Sequence, residues 1–243
     1  MTAIDIRNLS KQYKARTAVE GLTLQVEKGE LLALLGQNGA GKTTTIKMLC
    51  CLAAPTGGDA LLLGDSILTD EEKVKQKINV SPQETAVAPN LTVRENLELA
   101  ARLYGSTKAE AAQKAEGLLK RFELSGRAKD RAKTLSGGMQ RKLSIAMALI
   151  SDPDILFLDE PTLGLDVRAR RELWQAVEEL KGDKTIVLTT HYLEEVEALS
   201  DRVAILSKGR LMALGTLSEL EAQTGEKSLE DVFLKLTEDD VCE

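Results

Sequence analysis

The sequence predicts an α/β fold. A largely parallel sheet carries a phosphate-binding loop, a small antiparallel β layer lies beside it, and a helical lobe is inserted into it. Three observations predict this. A glycine-rich loop, GQNGAGKTT (residues 36–44), separates an apolar run from a helical pattern. Short, wholly apolar runs at residues 31–35 and 155–158 alternate with helical patterns, as the strands of a parallel sheet do. Residues 92–133 break that alternation, being rich in Ala, Leu, Glu, Lys and Arg and poor in β-branched residues.

Each element follows in turn. Residues 4–9 alternate apolar and polar, as a half-buried strand does, and VEGLTLQV (residues 19–26) repeats the pattern. Two such strands in succession predict the antiparallel layer. Lys28-Gly29-Glu30 turns the chain into the strand 31–35. Gly36, Gly39 and Gly41 let the backbone curl so that successive N–H groups face an anion. The helix from Lys42, with Ile46, Met48 and Leu49 inward, aims its positive end at the same point. Residues 55–58 (PTGG) read as a loop, and residues 60–63 and 78–80 as strands, the second running into Ser81-Pro82-Gln83. In the lobe, Leu97, Leu99, Leu103, Leu118, Leu119 and Phe122 supply apolar faces at near-helical spacing. Leu135-Ser136-Gly137-Gly138 opens a helix over 139–150. Then come the strand 155–158, an amphipathic helix 167–181 burying Leu173, Trp174, Val177 and Leu180, a strand 185–190, a helix 192–199, a strand 203–206, a hairpin and closing helices.

A chain of 243 residues with 43% hydrophobic content suits one large α/β domain or one domain with an inserted lobe. A net charge of −6 argues against a dedicated nucleic-acid binder. The basic groups Arg168, Arg170, Arg171 and Arg141-Lys142 read as solvated helix faces. The three cysteines, Cys50, Cys51 and Cys242, give neither a disulfide framework nor zinc spacing and suit a reducing cytosol. No apolar run approaches the ~20 residues that span a bilayer, and the N-terminus has no signal-peptide core. A chain soluble by itself is expected, reaching a membrane only by docking to an embedded partner. Glu238, Asp239, Asp240 and Glu243 read as a solvated acidic tail.

Ligands of parallel α/β sheets sit at the carboxyl ends of the strands. Strand 31–35 ends at the phosphate loop, 155–158 at Asp159 and Glu160, 185–190 at His191, and 78–80 leads to Gln83. Lys42 places a charge near the outer phosphates, and Thr43 and Asp159 can hold Mg²⁺. Glu160 either polarises a water for attack on a γ-phosphate or merely complements a helix dipole. His191, the sole histidine, is either structural or a donor to the γ-phosphate. Gln83 is a turn residue or part of the site. LSGGMQ (residues 135–140) is a second anion-seeking helix start. If the two starts cannot reach one triphosphate in a monomer, the second serves a neighbouring chain, which predicts a head-to-tail dimer.

With these motifs in order over nearly the whole length, the chain resembles the ATP-binding subunit of an ABC transporter. GQNGAGKTT is similar to the family's Walker A, ILFLDE (155–160) to its Walker B with the catalytic glutamate, LSGGMQ to its signature, Gln83 to its Q-loop, Leu163-Gly164-Leu165-Asp166 to its D-loop, and His191 to its switch histidine. The resemblance implies a P-loop NTPase (ABC ATPase) fold with a RecA-like core sheet. It implies a single domain over 1–243, with the RecA-like and β parts at about 1–91 and 151–243 and a helical signature subdomain at about 92–150.

It implies that Tyr13 stacks on adenine, and that Gly36, Asn38, Gly39, Ala40, Gly41, Lys42, Thr43 and Thr44 hold ATP. Thr43, Gln83 and Asp159 would hold Mg²⁺. Glu160 would be the general base, with His191, Gln83 and Lys42 completing the catalytic set. Ser136, Gly137 and Gly138 would reach the γ-phosphate bound by a second ATP-binding subunit, identical or related, and Asp166 would link the two sites. The implied further partner is an integral-membrane permease, docked near residues 83–90. No nucleic acid is expected, and the location would be cytoplasmic, on the inner face of the membrane. GGMQRKLSIAMAL, HYLEEVEALSDRVAIL and SLEDVFLKLT look most like ABC-2-type exporters. Leu163, where a small residue is frequent, and Asn79, where glycine is frequent, depart from the pattern. A soluble P-loop kinase would explain the first loop but not the second. A nucleic-acid ATPase would call for duplicated domains or coiled-coil insertions, and a module using ATP only structurally would not need Asp159, Glu160 and His191.

Overall fold

The computed structural model describes residues 1–238. Strands β1 (Thr2–Tyr13) and β2 (Arg16–Glu27) form an antiparallel hairpin, with Tyr13 opposite Arg16 at its tip. Next come β3 (Leu31–Leu35), α1 (Lys42–Leu49), β4 (Gly57–Leu62), β5 (Asp65–Ser66), α2 (Glu71–Lys77) and β6 (Ile78–Ser81). The lobe is α3 (Val93–Leu103), α4 (Lys108–Arg121) and α5 (Gly137–Leu149). The chain continues through β7 (Ile155–Asp159), α6 (Val167–Glu178), β8 (Thr185–Thr190), α7 (Leu193–Leu199), β9 (Arg202–Ser207), β10 (Arg210–Gly215), α8 (Leu217–Thr224) and α9 (Leu229–Glu238).

The main sheet has the order β10-β9-β3-β8-β7-β6, parallel except for β10. The second sheet, β2-β1-β4-β5, is antiparallel. Alternation along the buried strands divides the core. In β7, Leu156 and Leu158 face the lobe and pack with Leu97, Leu119, Phe122 and Leu143. Ile155 and Phe157 face the other way, onto α1 and the antiparallel sheet, with Ile4, Ile6, Leu22, Ile46 and Met48. A third cluster joins Ala33 and Leu35 of β3 to Val196, Leu220, Leu229 and Val232. Capping boxes start α3 (Thr92 with Glu95) and α4 (Thr107 with Glu110), so the lobe's helix starts are fixed locally as well as by packing. Among the described residues, no helix is long and apolar enough to cross a membrane.

Several expectations need correction. β1 and β2 run well past 4–9 and 19–26, because the pairing continues to the hairpin tip. Gly57 and Gly58, expected in a loop, begin β4, where Gly58 takes φ 74° beside a bulge at Asn8. β5 and α2 had no expected counterpart; α2 buries Val74 alone, too little for a periodic signal. Leu99 and Leu103, expected in the lobe's core, are 44% and 78% exposed. α5 starts at Gly137 rather than 139, and α6 ends at Glu178 although Leu180 is still buried. Lys142 is buried rather than solvated, between Glu123 and Glu172. Residues 239–243, with Asp239, Asp240, Cys242 and Glu243, and the Glu238 side chain lie outside the described residues.

One buried polar side chain fixes the segment after Gln83. Asn96, on α3 and fully buried, accepts from the Ala88 N–H at 2.7 Å and donates to the carbonyls of Ala88 and Thr92 at 3.1 and 2.9 Å. Asn96→Leu keeps the volume but strands those groups. It lowers unfolding free energy by about 2–4 kcal/mol in urea titrations. Leu99→Ser on the same helix changes it by no more than about 0.5 kcal/mol, because that side chain meets solvent.

Candidate functional site

The carboxyl ends of β3, β7 and β8 meet at a cavity of about 510 Å³. Its wall is formed by Tyr13, Arg16, Ala18, the segment from Gln37 to Thr44, Gln83, Glu160, Leu163 and His191. The loop curls as its glycines allow: Gly41 has φ 103°, and a Cβ there would stand 2.6 Å from the Ala18 carbonyl oxygen. α1 begins immediately after it, with its free N–H groups at the cavity.

The charged groups form a connected set. Lys42 and Glu160 are almost fully buried, with Nζ 3.1 Å from Oε1. Lys42 Nζ also donates to the Gly36 carbonyl at 2.6 Å. The other Glu160 oxygen lies 2.7 Å from His191 Nδ1, a contact made by the tautomer that carries its proton on that nitrogen. Glu160 has φ 48°, uncommon for a residue with a side chain. Its N–H donates to the Thr189 carbonyl and hydroxyl oxygens at 3.1 and 3.0 Å. Thr189 Oγ1 in turn donates to Asp159 Oδ1 at 2.6 Å, and Thr43 Oγ1 donates to the same oxygen at 3.0 Å.

Behind this set lies Arg141 of α5, which is 3% exposed. The reading of Arg141 as a solvated surface cation is therefore wrong. It donates to backbone carbonyls only: Pro161, Pro82, Gln83, Asp159 and Glu160. Burial pulls its pKa down to about 10, against the opposing pull of the Asp159, Glu195 and Glu160 carboxylates. Glu195 is fully buried, and burial pushes its carboxyl up, partly offset by the hydrogen bond from Trp174. Trp174 Nε1 donates to Glu195 Oε1 at 3.1 Å, so this tryptophan is half-buried against the core and tied to it. Arg170, also expected on a solvated face, sits between the rings of Trp174 and Tyr192.

The structure brings together Tyr13, Asn38, Gly39, Ala40, Gly41, Lys42, Thr43, Thr44, Gln83, Glu160 and His191 on one cavity. Asp159 sits at its floor through Thr43, and Gly36 lies beneath the loop, giving its carbonyl to Lys42. Ser136, Gly137 and Gly138 are not part of that wall; they open α5, with the exposed Ser136 capping it through the Met139 N–H. Asp166 is not part of it either and caps α6 by accepting from the Ala169 N–H at 2.9 Å. Sequence reasoning missed Arg16 and Arg141. Arg16 is placed by the hairpin register opposite Tyr13. The available signal for Arg141 was a cation on a helix whose neighbours Leu143, Ile145 and Ala146 are all core residues.

Comparison with known proteins agrees with this geometry. The sequence profile of the ABC transporter family matches residues 19–163, more than half of the chain. The linearmycin resistance ATP-binding protein LnrL of Bacillus subtilis (strain 168) is 40% identical over 96% of this chain and 74% of its own length. The daunorubicin/doxorubicin resistance ATP-binding protein DrrA of Streptomyces peucetius is 44% identical over 93% of this chain and 69% of its own. The structure of an ATP-binding subunit of an ABC transporter superposes with a TM-score of 0.85 at 34% identity, covering 97% of this chain and 99% of that one. The dimeric post-hydrolysis state of the ATP-binding cassette MJ0796, bound to ADP and Pi, superposes with a TM-score of 0.79 at 28% identity over 88% and 98% of the two chains. The chain belongs to the ABC transporter family, as one of its ATP-binding, ATP-hydrolysing subunits.

Proposed function

We propose that the chain is the motor of an exporter and works as half of a head-to-tail dimer that closes on ATP. The observation that carries the reading is a separation. The Lys42–Glu160–His191 set lines the cavity, whereas the second anion-seeking helix start, at Ser136, stands apart from it and exposed. A second copy, or a related subunit, would supply the missing wall, as the dimeric MJ0796 cassette makes reasonable. Export is supported by relatives named for linearmycin resistance, daunorubicin resistance and Nod factor export.

The chemistry follows from the charges. Tyr13 offers a half-exposed ring for the base, and the loop N–H groups and Lys42 take the phosphates. In the structure Lys42 neutralises Glu160. A triphosphate competes for Lys42 and so releases the Glu160 oxygen that Lys42 held. Lys42 thereby exchanges one anionic partner for another and is never a buried unpaired cation, while Glu160 keeps its contact with His191. The freed Oε1 then accepts the proton of an attacking water, while His191 on Oε2 holds the carboxylate's orientation.

Thr43 and Asp159 present adjoining hard oxygen donors, and Gln83 an exposed amide on the same cavity. No cluster of three His, Cys, Asp or Glu able to hold a metal occurs among the described residues. That donor set fits Mg²⁺, which is held by one or two protein oxygens together with substrate phosphates. When bound there, Mg²⁺ would neutralise charge on the phosphates.

In this reading, residues 92–150 are a helical signature subdomain on a body of residues 1–91 and 151–243. A permease helix would dock on residues 83–90 and the exposed Leu99, Leu103 and Tyr104. That would place the chain on the inner face of the membrane.

Two outcomes test the reading. Glu160→Gln keeps ATP affinity, lowers turnover about 10²- to 10⁴-fold, and elutes as a dimer with ATP but not with ADP in gel filtration. Transfer of the γ-phosphoryl to an acceptor other than water would overturn it. Gly138→Val drives a side chain into Ala169, since a Cβ there already stands 2.8 Å from the Ala169 Cβ. In the Glu160→Gln background that change leaves ATP affinity within about threefold and abolishes the ATP-driven dimer; a dimer of unchanged stability would contradict the role given to this turn.

A further inference from the structure

Arg141 is a buried cation that contacts no carboxylate oxygen among the described residues. Its guanidinium has five N–H donors in a rigid plane, and five backbone carbonyls receive them. Nε donates to Pro161 at 2.7 Å, Nη2 to Asp159 and Glu160 at 2.7 and 2.8 Å, and Nη1 to Gln83 at 3.1 Å and to Pro82. The acceptors come from two separate segments: the turn after β6 that carries Gln83, and the turn after β7 that carries Glu160. At Glu160 the backbone is left-handed, with its N–H held by Thr189 and its carbonyl by Arg141. A backbone rotation of about 30° there would move the carboxylate by roughly 2 Å, out of reach of Lys42 and His191.

We infer that Arg141 is a positioning residue for hydrolysis: it clamps the Glu160 backbone in the conformation that aims the carboxylate and ties that turn to the Gln83 segment. The inference rests on Glu160 being the base. Arg141 also stands five residues beyond Ser136 on α5, about 7.5 Å along the axis. A force on the Ser136 turn therefore reaches both clamped turns through one short helix. Among the described residues no other side-chain hydrogen bond or ion pair joins these two turns, so the guanidinium is the direct polar joint between them.

Arg141→Lys tests this in the purified full chain. Lysine keeps the charge but brings only three donors, without the fork, to five carbonyls. The expected result is a kcat lowered about 30- to 100-fold, with KM for ATP and the affinity for a non-hydrolysable ATP analogue within about threefold of wild type. A kcat within about threefold of wild type overturns the inference. So does a parallel loss of kcat and nucleotide affinity, or a chain that no longer folds, because either assigns Arg141 to fold maintenance. The wild-type control separates the two readings: if it hydrolyses ATP and Glu160→Gln does not, the base stands whatever Arg141→Lys shows. A Glu160→Gln variant as active as wild type removes the base, and this inference with it.

Discussion

The site depends on one buried carboxylate shared between a cation and an imidazole. Glu160 gives one oxygen to Lys42 and the other to His191, and these three residues come from the ends of three adjacent strands or the loops that follow them. A buried ion pair is a poor source of net stability, because desolvation offsets most of the attraction. Its value here is as a switchable contact. The lysine that pairs with Glu160 is the same lysine that the loop geometry presents to the cavity. In the proposed mechanism, substrate binding and arming of the base are therefore one exchange of partners.

The fold makes that exchange local. β3, β8 and β7 lie side by side and parallel, so the phosphate loop, His191 and Glu160 emerge at one edge. Both faces of these strands are buried: α1 and the antiparallel sheet cover one, and the other packs on the lobe at β7 and β8 and mainly on α7, α8 and α9 at β3. Such strands have little freedom to shift, and the polar ends are held to within hydrogen-bond tolerances. The lobe is attached to the same edge by Arg141 and to the segment after Gln83 by Asn96. The lobe thus meets the site edge through polar contacts to backbone as well as through the apolar packing of its helices on β7 and β8.

Most parts legible in the sequence share a cause: a strand, wholly apolar at 31–35 and 155–158 and mixed at 78–80 and 185–190, that runs into polar residues. This revealed the loop at 36–44, Asp159, Glu160, His191 and the Gln83 turn. The second helix start at Ser136 was legible from its glycines, whereas its separation from the first was only a condition in the sequence and is seen in the structure. What was not legible depends on partners distant in sequence. Arg141 looks like any helix-surface cation until five carbonyls from two other turns surround it. Arg16 joins the cavity only through the register of the β1–β2 hairpin. Leu99 and Leu103 matched a helical period but fell on the outer face, since spacing alone does not say which stripe of α3 is covered. Gly57 and Gly58 signal a turn by composition, yet β1 recruits them as a strand by pairing.

The central claim is that each hydrolytic pocket is completed by the Ser136 turn of another subunit. The most direct measurement is a structure of the Glu160→Gln chain saturated with ATP. The account predicts that each γ-phosphate, held by Lys42 of one copy, accepts a hydrogen bond from the Ser136 hydroxyl or the Gly138 N–H of the other. A structure in which every γ-phosphate is contacted by its own chain alone, with Ser136 in solvent, would contradict it.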